Sequence, residues 1–377
     1  MYLGFSEEQE MLRTMARDFL ANECPKSLVR EMEEDEKGYS PELWRKMAEL
    51  GWFGLAFPEK YGGTEGTFLD LSVLIEEMGR ALLPGPFVPT VVQCGLTIMN
   101  HGSEEQKQQF LPKIANGDLI MTLALTEPMG RYGPDSVTLK AEAKGDDFIL
   151  NGVKLFVPDA HVSDYMIVVA RTRDGADKAD GVTLLMVDAK SAGIGTTTLK
   201  TIASDKLCEV KFDNVRVPKA NVLGRVDKGW AIVKDIMEKA TVAQSLLLVG
   251  EAQVAFEMSV QYAKDRVQFG RPIGSFQAIQ HKCANMVTDV DGARFITYQA
   301  AWRVSEGLPA AMEISMAKAW TSDATRRVVS EAHQIHAGIG FTKDYDLQLY
   351  FRRQKAGEVT WGDGDWHREL VAQQLGL

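Results

Sequence analysis

The hydrophobic pattern of this chain changes period twice, and that order limits its fold more than any single motif does. From Ser6 to about Gly117 the apolar residues recur at helical spacing. Between Leu119 and Pro218 short apolar runs and apolar–polar alternation dominate. After Lys228-Gly229-Trp230 the helical spacing returns and holds to the C-terminus. The expected order is therefore α, then β, then α. A βαβ alternation is absent, and no GxGxxG follows a strand, which argues against a dinucleotide-binding doubly wound sheet.

Local signals place the elements. Ser6 is a candidate N-cap before Glu7 and Glu8, with Phe5, Met11, Leu12, Met15, Phe19 and Leu20 forming the apolar stripe. Pro41 suits a first helical position of a helix reaching Gly51. Phe68 to Leu83 and Ser103 to Ala115 read as further helices, the latter opening with a capping box from Ser103 to Gln106. In the β region a turn is expected at Lys144-Gly145-Asp146-Asp147, and Asn151-Gly152 is the usual two-residue hairpin signal. Tyr165 to Ala170, Val182 to Val187 and Cys208 to Phe212 are further strands. Ala231 to Val267 reads as one long helix, ended by the Gly270-Arg271-Pro272 breaker. Ser275 to Glu306, Ala310 to Gly338 and Leu347 to Glu358 complete the helical part.

Length and charge narrow the function. A chain of 377 residues divides into two or three domains and buries a large core without crosslinks. A net charge of -10 argues against nucleic acid as the main partner, since phosphate backbones need a basic surface, but leaves room for a local cationic pocket. Cys24, Cys94, Cys208 and Cys283 form no CxxC pair and read as inert thiols of a reducing compartment. The N-terminus has no basic n-region. The longest stretch without Asp, Glu, Lys or Arg, Ala81 to Ser103, is broken by Pro84, Pro86 and Pro89, so it reads as a loop and a buried helix rather than a membrane span. A cytoplasmic location is expected. His333 and His336 lack a nearby acidic partner motif and read as packing residues, so no metal site is expected.

Four strings, in order along the chain, identify a family. They are Glu49-Leu-Gly-Trp-Phe-Gly-Leu-Ala-Phe-Pro-Glu-Lys-Tyr-Gly-Gly63, Leu125-Thr-Glu-Pro128, Arg266-Val-Gln-Phe-Gly-Arg-Pro-Ile273 and His336-Ala-Gly-Ile-Gly-Phe341. Asn151-Gly-Val-Lys-Leu-Phe156 and Asp213-Asn-Val-Arg-Val-Pro218 fit beside them. Together they resemble the acyl-CoA dehydrogenase family of flavoproteins over essentially the whole chain. The resemblance implies an α+β fold: an N-terminal helical domain (1–118), a central β-barrel domain (119–225) and a C-terminal four-helix-bundle domain (226–377). It also implies FAD, an acyl-CoA substrate, and oxidation to the 2,3-enoyl-CoA with hydride transfer to the flavin N5. Electron-transferring flavoprotein is the implied acceptor, dimers or tetramers the implied assembly, and fatty-acid β-oxidation the implied setting.

The resemblance assigns residues one by one. Arg266 matches an arginine on the FAD pyrophosphate of the neighbouring subunit, a role for which a planar, permanently charged guanidinium is suited. Phe269 belongs to the same string. Gln277 matches a glutamine on the adenine side, and Gln334 and Gly338 match a segment whose backbone lies against the partner subunit's FAD. Leu125 and Thr126 match residues at the isoalloxazine edge. Phe156 and Pro158 stand where the family has a flavin-stacking tryptophan and a hydroxyl-bearing threonine. Phe156 can still stack, whereas Pro158 has neither hydroxyl nor backbone donor. Met129-Gly-Arg-Tyr-Gly-Pro-Asp135 replaces a glycine-serine-aspartate loop. Its Arg131 reads either as a CoA-phosphate ligand or as a solvated arginine.

The general base is the sharpest departure. Drawing a proton from the carbon α to a thioester needs a carboxylate of raised pKa beside the acyl chain. Thr360-Trp361-Gly362-Asp363 stands where most members carry that glutamate, so Trp361 occupies the base position. The alternate family position falls on about Ala240. The nearest carboxylates are Asp235, Glu238, Asp363 and Asp365. Asp363 reads as a base, as a cofactor contact or as a helix N-cap, and Asp365 as a second cofactor-side carboxylate. The Trp361 backbone N–H remains available in principle to the thioester oxygen, because a backbone donor survives a side-chain change. Two functions follow. One is an active FAD-dependent acyl-CoA dehydrogenase with a displaced base. The other is a half-site subunit of a heteromeric enzyme that shares FAD with a partner supplying the base.

Overall fold

A computed structural model describes residues 4–377. Among these the helices are α1 (Glu7–Glu23), α2 (Lys26–Glu34), α3 (Pro41–Glu49), α4 (Phe68–Ala81), α5 (Leu96–His101) and α6 (Glu104–Ala115). Then come the strands β1 (Met121–Ala124), β2 (Lys140–Lys144), β3 (Asp147–Pro158), β4 (Tyr165–Arg171), β5 (Val182–Asp188), β6 (Ile194–Thr198), β7 (Leu207–Pro218) and β8 (Val222–Leu223). Helix α7 (Trp230–Asp265) is followed by the short strands β9 (Val267–Gln268) and β10 (Arg271–Pro272), and then by α8 (Gln277–Ser305), α9 (Ala311–His336), α10 (Leu347–Val359) and α11 (Gly364–Gln374). The expected α, β, α order holds. The predicted capping boxes close: Ser6 and Gln9 cap α1, and Ser103 and Gln106 cap α6. Ser40 caps α3 with Pro41 in its first turn.

The chain folds as two compact units. One comprises residues 4–30, 67–83 and 241–377, and the other residues 31–66 and 84–240. In the first unit α1 packs on α4, α4 on α8, and α9 on α8, α10 and α11. Small residues allow the close approach. A Cβ at Gly79 would lie 2.3 Å from the Leu247 carbonyl, and one at Gly250 2.1 Å from the Glu76 carbonyl. On α1 the buried face runs through Ala16 and Leu20, so Met11 and Met15 stand exposed instead of joining the expected stripe.

The second unit holds the sheet, with strand order β6-β7-β3-β2-β4-β5-β8 and β1 paired to β4 in parallel. Its core gathers Phe148, Leu150, Val168, Leu185, Val210 and Phe212 among others. Asn151-Gly152 is not a hairpin turn. Strand β3 runs through it, and the reversal lies at Gly145-Asp146, where Gly145 takes φ +61° and Lys144 faces Asp147. The Asn-Gly pair instead makes a bulge against β7, with the register shifting between Leu150 and Gly152. Glycine serves here because its φ of +148° suits few side chains and a Cβ would crowd Leu139 at 3.0 Å. Between Phe87 and α5 the backbone forms a π-helix over Val88–Gly95, a buried segment among the described residues none of whose helices is long and apolar enough to cross a membrane.

Candidate active site

In the sheet unit the expected cofactor residues converge on one strand end. After β1 the chain passes through Leu125, Thr126 and Glu127 beside β3. Leu155 N–H donates to the Thr126 carbonyl at 2.8 Å. The Lys154 ammonium, completely buried, donates to the Leu125 carbonyl at 2.9 Å and to Glu127 Oε1 at 2.8 Å. Glu127 is buried as well and accepts from Thr138 N and Leu139 N at 3.0 Å and from the Thr138 hydroxyl. Burial alone lowers the Lys154 pKa, to about 8, against the pull of Glu127. Burial raises the Glu127 carboxyl, but Lys154 and the hydrogen bonds outweigh it and hold it below the usual range.

Between Lys154 and Val157 the β3–β7 register slips, and Phe156 sits in the left-handed region at φ +54°. Its ring is 52% exposed although its neighbours Lys154 and Val157 are buried. A bulged, exposed aromatic on a rigid strand is a ledge for a planar ligand. Pro158 ends the strand, its carbonyl accepting from the Thr122 hydroxyl at 2.6 Å.

In the helical unit two separate groups appear. The first gathers at the C-terminal ends of α7 and α9. Arg266 leads into the β9–β10 hairpin, whose tip residue Phe269 is 92% exposed at φ +54°. Among the described residues the Arg266 guanidinium has no ion pair, and its backbone accepts from Ile273 N at 2.8 Å. Gln277 is the exposed first residue of α8. Tyr262, one turn before Arg266, stacks on His336 with ring centroids 4.4 Å apart, which places Gln334 and Gly338 in the same neighbourhood. Gln334 and Gly338 are exposed, and a Cβ on Gly338 would meet nothing within 4 Å.

The second group is the turn between α10 and α11. Trp361 is half-buried with φ +64°, and Gly362 follows at φ +95°. Asp363 is exposed and caps α11, its side chain accepting from Trp366 N at 2.9 Å. Asp365 is exposed and pairs with Arg368 at 2.7 Å. Lys318 on α9 reaches under the turn, and 18 residues of helix separate it from His336, roughly 27 Å at 1.5 Å per residue. The Trp361 turn and the Arg266–Gly338 group of one chain therefore lie at opposite ends of α9.

The carboxylates differ in their commitments. Asp235 bonds His101 Nε2 at 2.9 Å and the Lys239 ammonium. Burial pushes its pKa up, yet these partners bring it down to about 2. Glu238, half-buried and one turn along α7, makes no ion pair among the described residues, although Lys239 and Lys234 lie near enough to pull its pKa down weakly. Burial first and the Asp235 charge second raise its pKa. Asp363 and Asp365 are occupied as cap and ion pair.

Sequence reading missed Lys154, Glu127, Lys318 and His367. A lysine on the inward face of an element is the available signal. Lys318 shares a helix face with Ile314, Thr321 and Thr325, all buried.

Comparison with known proteins now fits these observations. Models of the acyl-CoA dehydrogenase N-terminal, middle and C-terminal domains match residues 6–118, 122–215 and 227–376. The chain belongs to the acyl-CoA dehydrogenase family and is an oxidoreductase of that class. It is 33% identical to the probable acyl-CoA dehydrogenase YngJ of Bacillus subtilis over 100% of both chains. Butyryl-CoA dehydrogenase from Megasphaera elsdenii superposes with a TM-score of 0.92 at 29% identity, covering 100% of each chain. The ChsE4-ChsE5 complex from Mycobacterium tuberculosis superposes with a TM-score of 0.91 at 27% identity, covering 100% of this chain and 99% of that one.

Proposed function

We propose that this chain is a FAD-dependent acyl-CoA dehydrogenase that oxidises an acyl-CoA thioester to the 2,3-enoyl-CoA and passes electrons to an electron-transferring flavoprotein. The observation that carries the reading is the strand-end ledge. Leu125 and Thr126 are bonded rigidly through their carbonyls to Lys154 and Leu155, and Phe156 is left exposed on its bulge. Such a ledge suits the edge and face of an isoalloxazine. Bound FAD would supply the two-electron acceptor for the hydride leaving the β-carbon. Arg266, without an ion pair among the described residues and three positions before Phe269 at the hairpin tip, suits the pyrophosphate, with Gln277 toward the adenine and the Gln334–Gly338 backbone alongside. Pro158 brings no N–H or hydroxyl donor to its flank.

Glu238 is assigned as general base. Among the four candidate carboxylates it alone is neither a helix cap nor in an ion pair, and burial with the Asp235 charge raises its pKa, the direction a general base needs. Asp363 serves the turn as N-cap, and Asp365 pairs with Arg368. The Trp361 N–H is assigned to the thioester oxygen, and Arg131 to the CoA phosphate. The three-part division at 118/119 and 225/226 belongs to the same reading.

A second reading is favoured by one observation. The Trp361 turn, where the family resemblance expects the base, and the Arg266–Gly338 group lie at opposite ends of α9. A chain built so serves one flavin with each end and tolerates losing its own base if a partner keeps one. The chain is then the half-site subunit of a heterotetramer, and its likeness to one component of the ChsE4-ChsE5 complex supports that alternative. Purified alone and made anaerobic, the chain distinguishes the two. Bleaching of its yellow flavin band by an acyl-CoA selects the first reading. Bound flavin that no acyl-CoA bleaches, with activity restored by a base-bearing homologue, selects the second.

A further inference from the structure

The turn that carries Trp361 is held from below by two buried nitrogen groups that the proposed chemistry does not use. Lys318, fully buried on α9, donates to the Glu358 carbonyl at 2.9 Å, the Gly362 carbonyl at 2.8 Å and Ser322 Oγ at 2.9 Å. All three ammonium protons are thereby engaged. His367, on α11 and 2% exposed, has Nε2 2.9 Å from the Trp361 carbonyl. A carbonyl only accepts, so Nε2 carries the proton, and burial keeps the ring neutral by lowering its pKa to about 4. Its Nδ1 is buried without a partner. Three carbonyls of one five-residue turn, those of residues 358, 361 and 362, are thus fixed by two side chains from different helices.

The turn needs such restraint. Trp361 in the left-handed region costs about 1–2 kcal/mol for an L-residue, and Gly362 follows with φ +95°. Glycine is required there, since a Cβ would strike the Trp366 ring at 2.2 Å. Strain of this kind persists only where the surroundings over-determine it.

We infer that Lys318 and His367 are positioning residues for substrate. They lock the Glu358–Gly362 turn so that the Trp361 amide faces the acyl thioester at a fixed angle. The inference rests on the assignment of Trp361 N–H to the thioester oxygen. It makes acyl-CoA affinity depend on residues that do not touch the substrate. His367 is the more informative position, because glutamine keeps a donor for the Trp361 carbonyl and leucine does not.

The test uses the flavin-loaded full chain and a non-oxidisable acyl-CoA analogue with sulfur in place of the β-carbon, read by its perturbation of the flavin spectrum. His367→Leu and Lys318→Met are expected to weaken the analogue by about tenfold, the equivalent of one lost hydrogen bond. His367→Gln is expected to stay within about twofold. Flavin content should not change in any variant. Amide hydrogen exchange over residues 358–364 should accelerate in the leucine and methionine variants but not in the glutamine variant. Analogue binding by the wild type with unchanged affinity in H367L and K318M overturns the inference alone. No analogue binding by the wild type overturns the assignment of Trp361 and the inference with it. A lesser effect in H367L than in H367Q overturns it too, and these two variants decide the matter if K318M does not fold.

Discussion

Removing Lys154 is the perturbation whose cost the structure defines best. In Lys154→Met the side chain keeps its length, but Glu127 loses its buried cation partner and the Leu125 carbonyl loses its donor. Breaking a buried ion pair from one side costs about 3–5 kcal/mol, because the remaining charge is stranded. Glu127 retains two backbone donors and the Thr138 hydroxyl, so the expected loss lies near the lower bound, about 3 kcal/mol. Adding Glu127→Gln removes the stranded charge. The double variant should regain about 1–2 kcal/mol, a coupling in the range expected for groups in direct contact. The assay is urea unfolding at fixed protein and flavin concentration, since bound ligand shifts the apparent stability. A single variant that costs less than about 1 kcal/mol, or a double variant less stable than K154M, refutes the picture of a pair held together by mutual charge compensation. Because the same ammonium secures the Leu125 carbonyl, flavin affinity should fall together with stability in K154M. Stability lost with flavin affinity intact would separate the strand-end anchor from the cofactor.

Three further outcomes follow from named groups. Glu238→Gln should slow anaerobic flavin bleaching by acyl-CoA at least about a hundredfold, the usual contribution of a general base, while flavin content stays constant; a rate within a few-fold of wild type removes Glu238 from that role. Arg266→Ala should weaken FAD by about 1.5–3 kcal/mol, the worth of charge-assisted hydrogen bonds, with Arg266→Lys recovering only part because it lacks the planar fork; equilibrium dialysis of flavin measures this, and unaltered affinity dismisses the pyrophosphate assignment. Glu251 is buried, with Oε2 unpartnered, and burial raises its pKa from an ordinary 4.5 to about 8 against a weaker opposing pull from Arg353. The native state therefore holds that proton more tightly than the unfolded chain. Its stabilising effect is complete below pH 4.5 and is lost as pH rises through about 8, so thermal midpoints should decline over that window in the wild type and less in Glu251→Gln; parallel curves contradict it.

How far the sequence reaches depends on whether a signal is local. The two Ser–Gln capping boxes, Ser40-Pro41 at α3 and the breaker after α7 were readable because each is satisfied by its own neighbours. Asn151-Gly152 misled because the same φ > 0 that closes a hairpin also opens a bulge, and only strand pairing with β7 decides between them. Lys154 and Lys318 stayed hidden for a related reason. A lysine reads as solvated until its carbonyl partners, drawn here from 29 to 44 residues away, are known to converge on it. The family was legible because its strings are contiguous; the state of the carboxylates was not. Asp363 and Glu238 are both plain carboxylates in sequence, and only the α11 cap on one and the burial of the other tell them apart.

Trp361, standing where the family resemblance expects the base, separates two kinds of function that usually travel together. A general base is a side-chain property, and Trp361 abolishes it at that position whatever the backbone does. An oxyanion donor is a backbone property, and it lasts as long as the turn keeps its shape. Here the turn keeps its shape through Lys318, His367 and the Asp363 cap, all outside the substituted position. A chain retained solely as scaffolding for a partner's flavin would have no use for a strained Trp361 locked by three carbonyl bonds, because the Arg266–Gly338 group lies at the other end of α9. The persistence of that lock favours a turn that still meets acyl-CoA, with the proton taken from elsewhere. On this argument the half-site reading makes one requirement of its own: disrupting the lock by His367→Leu must leave the activity of the reconstituted heteromer unchanged. A fall in that activity would mean that this chain's own turn binds substrate even in a heteromer.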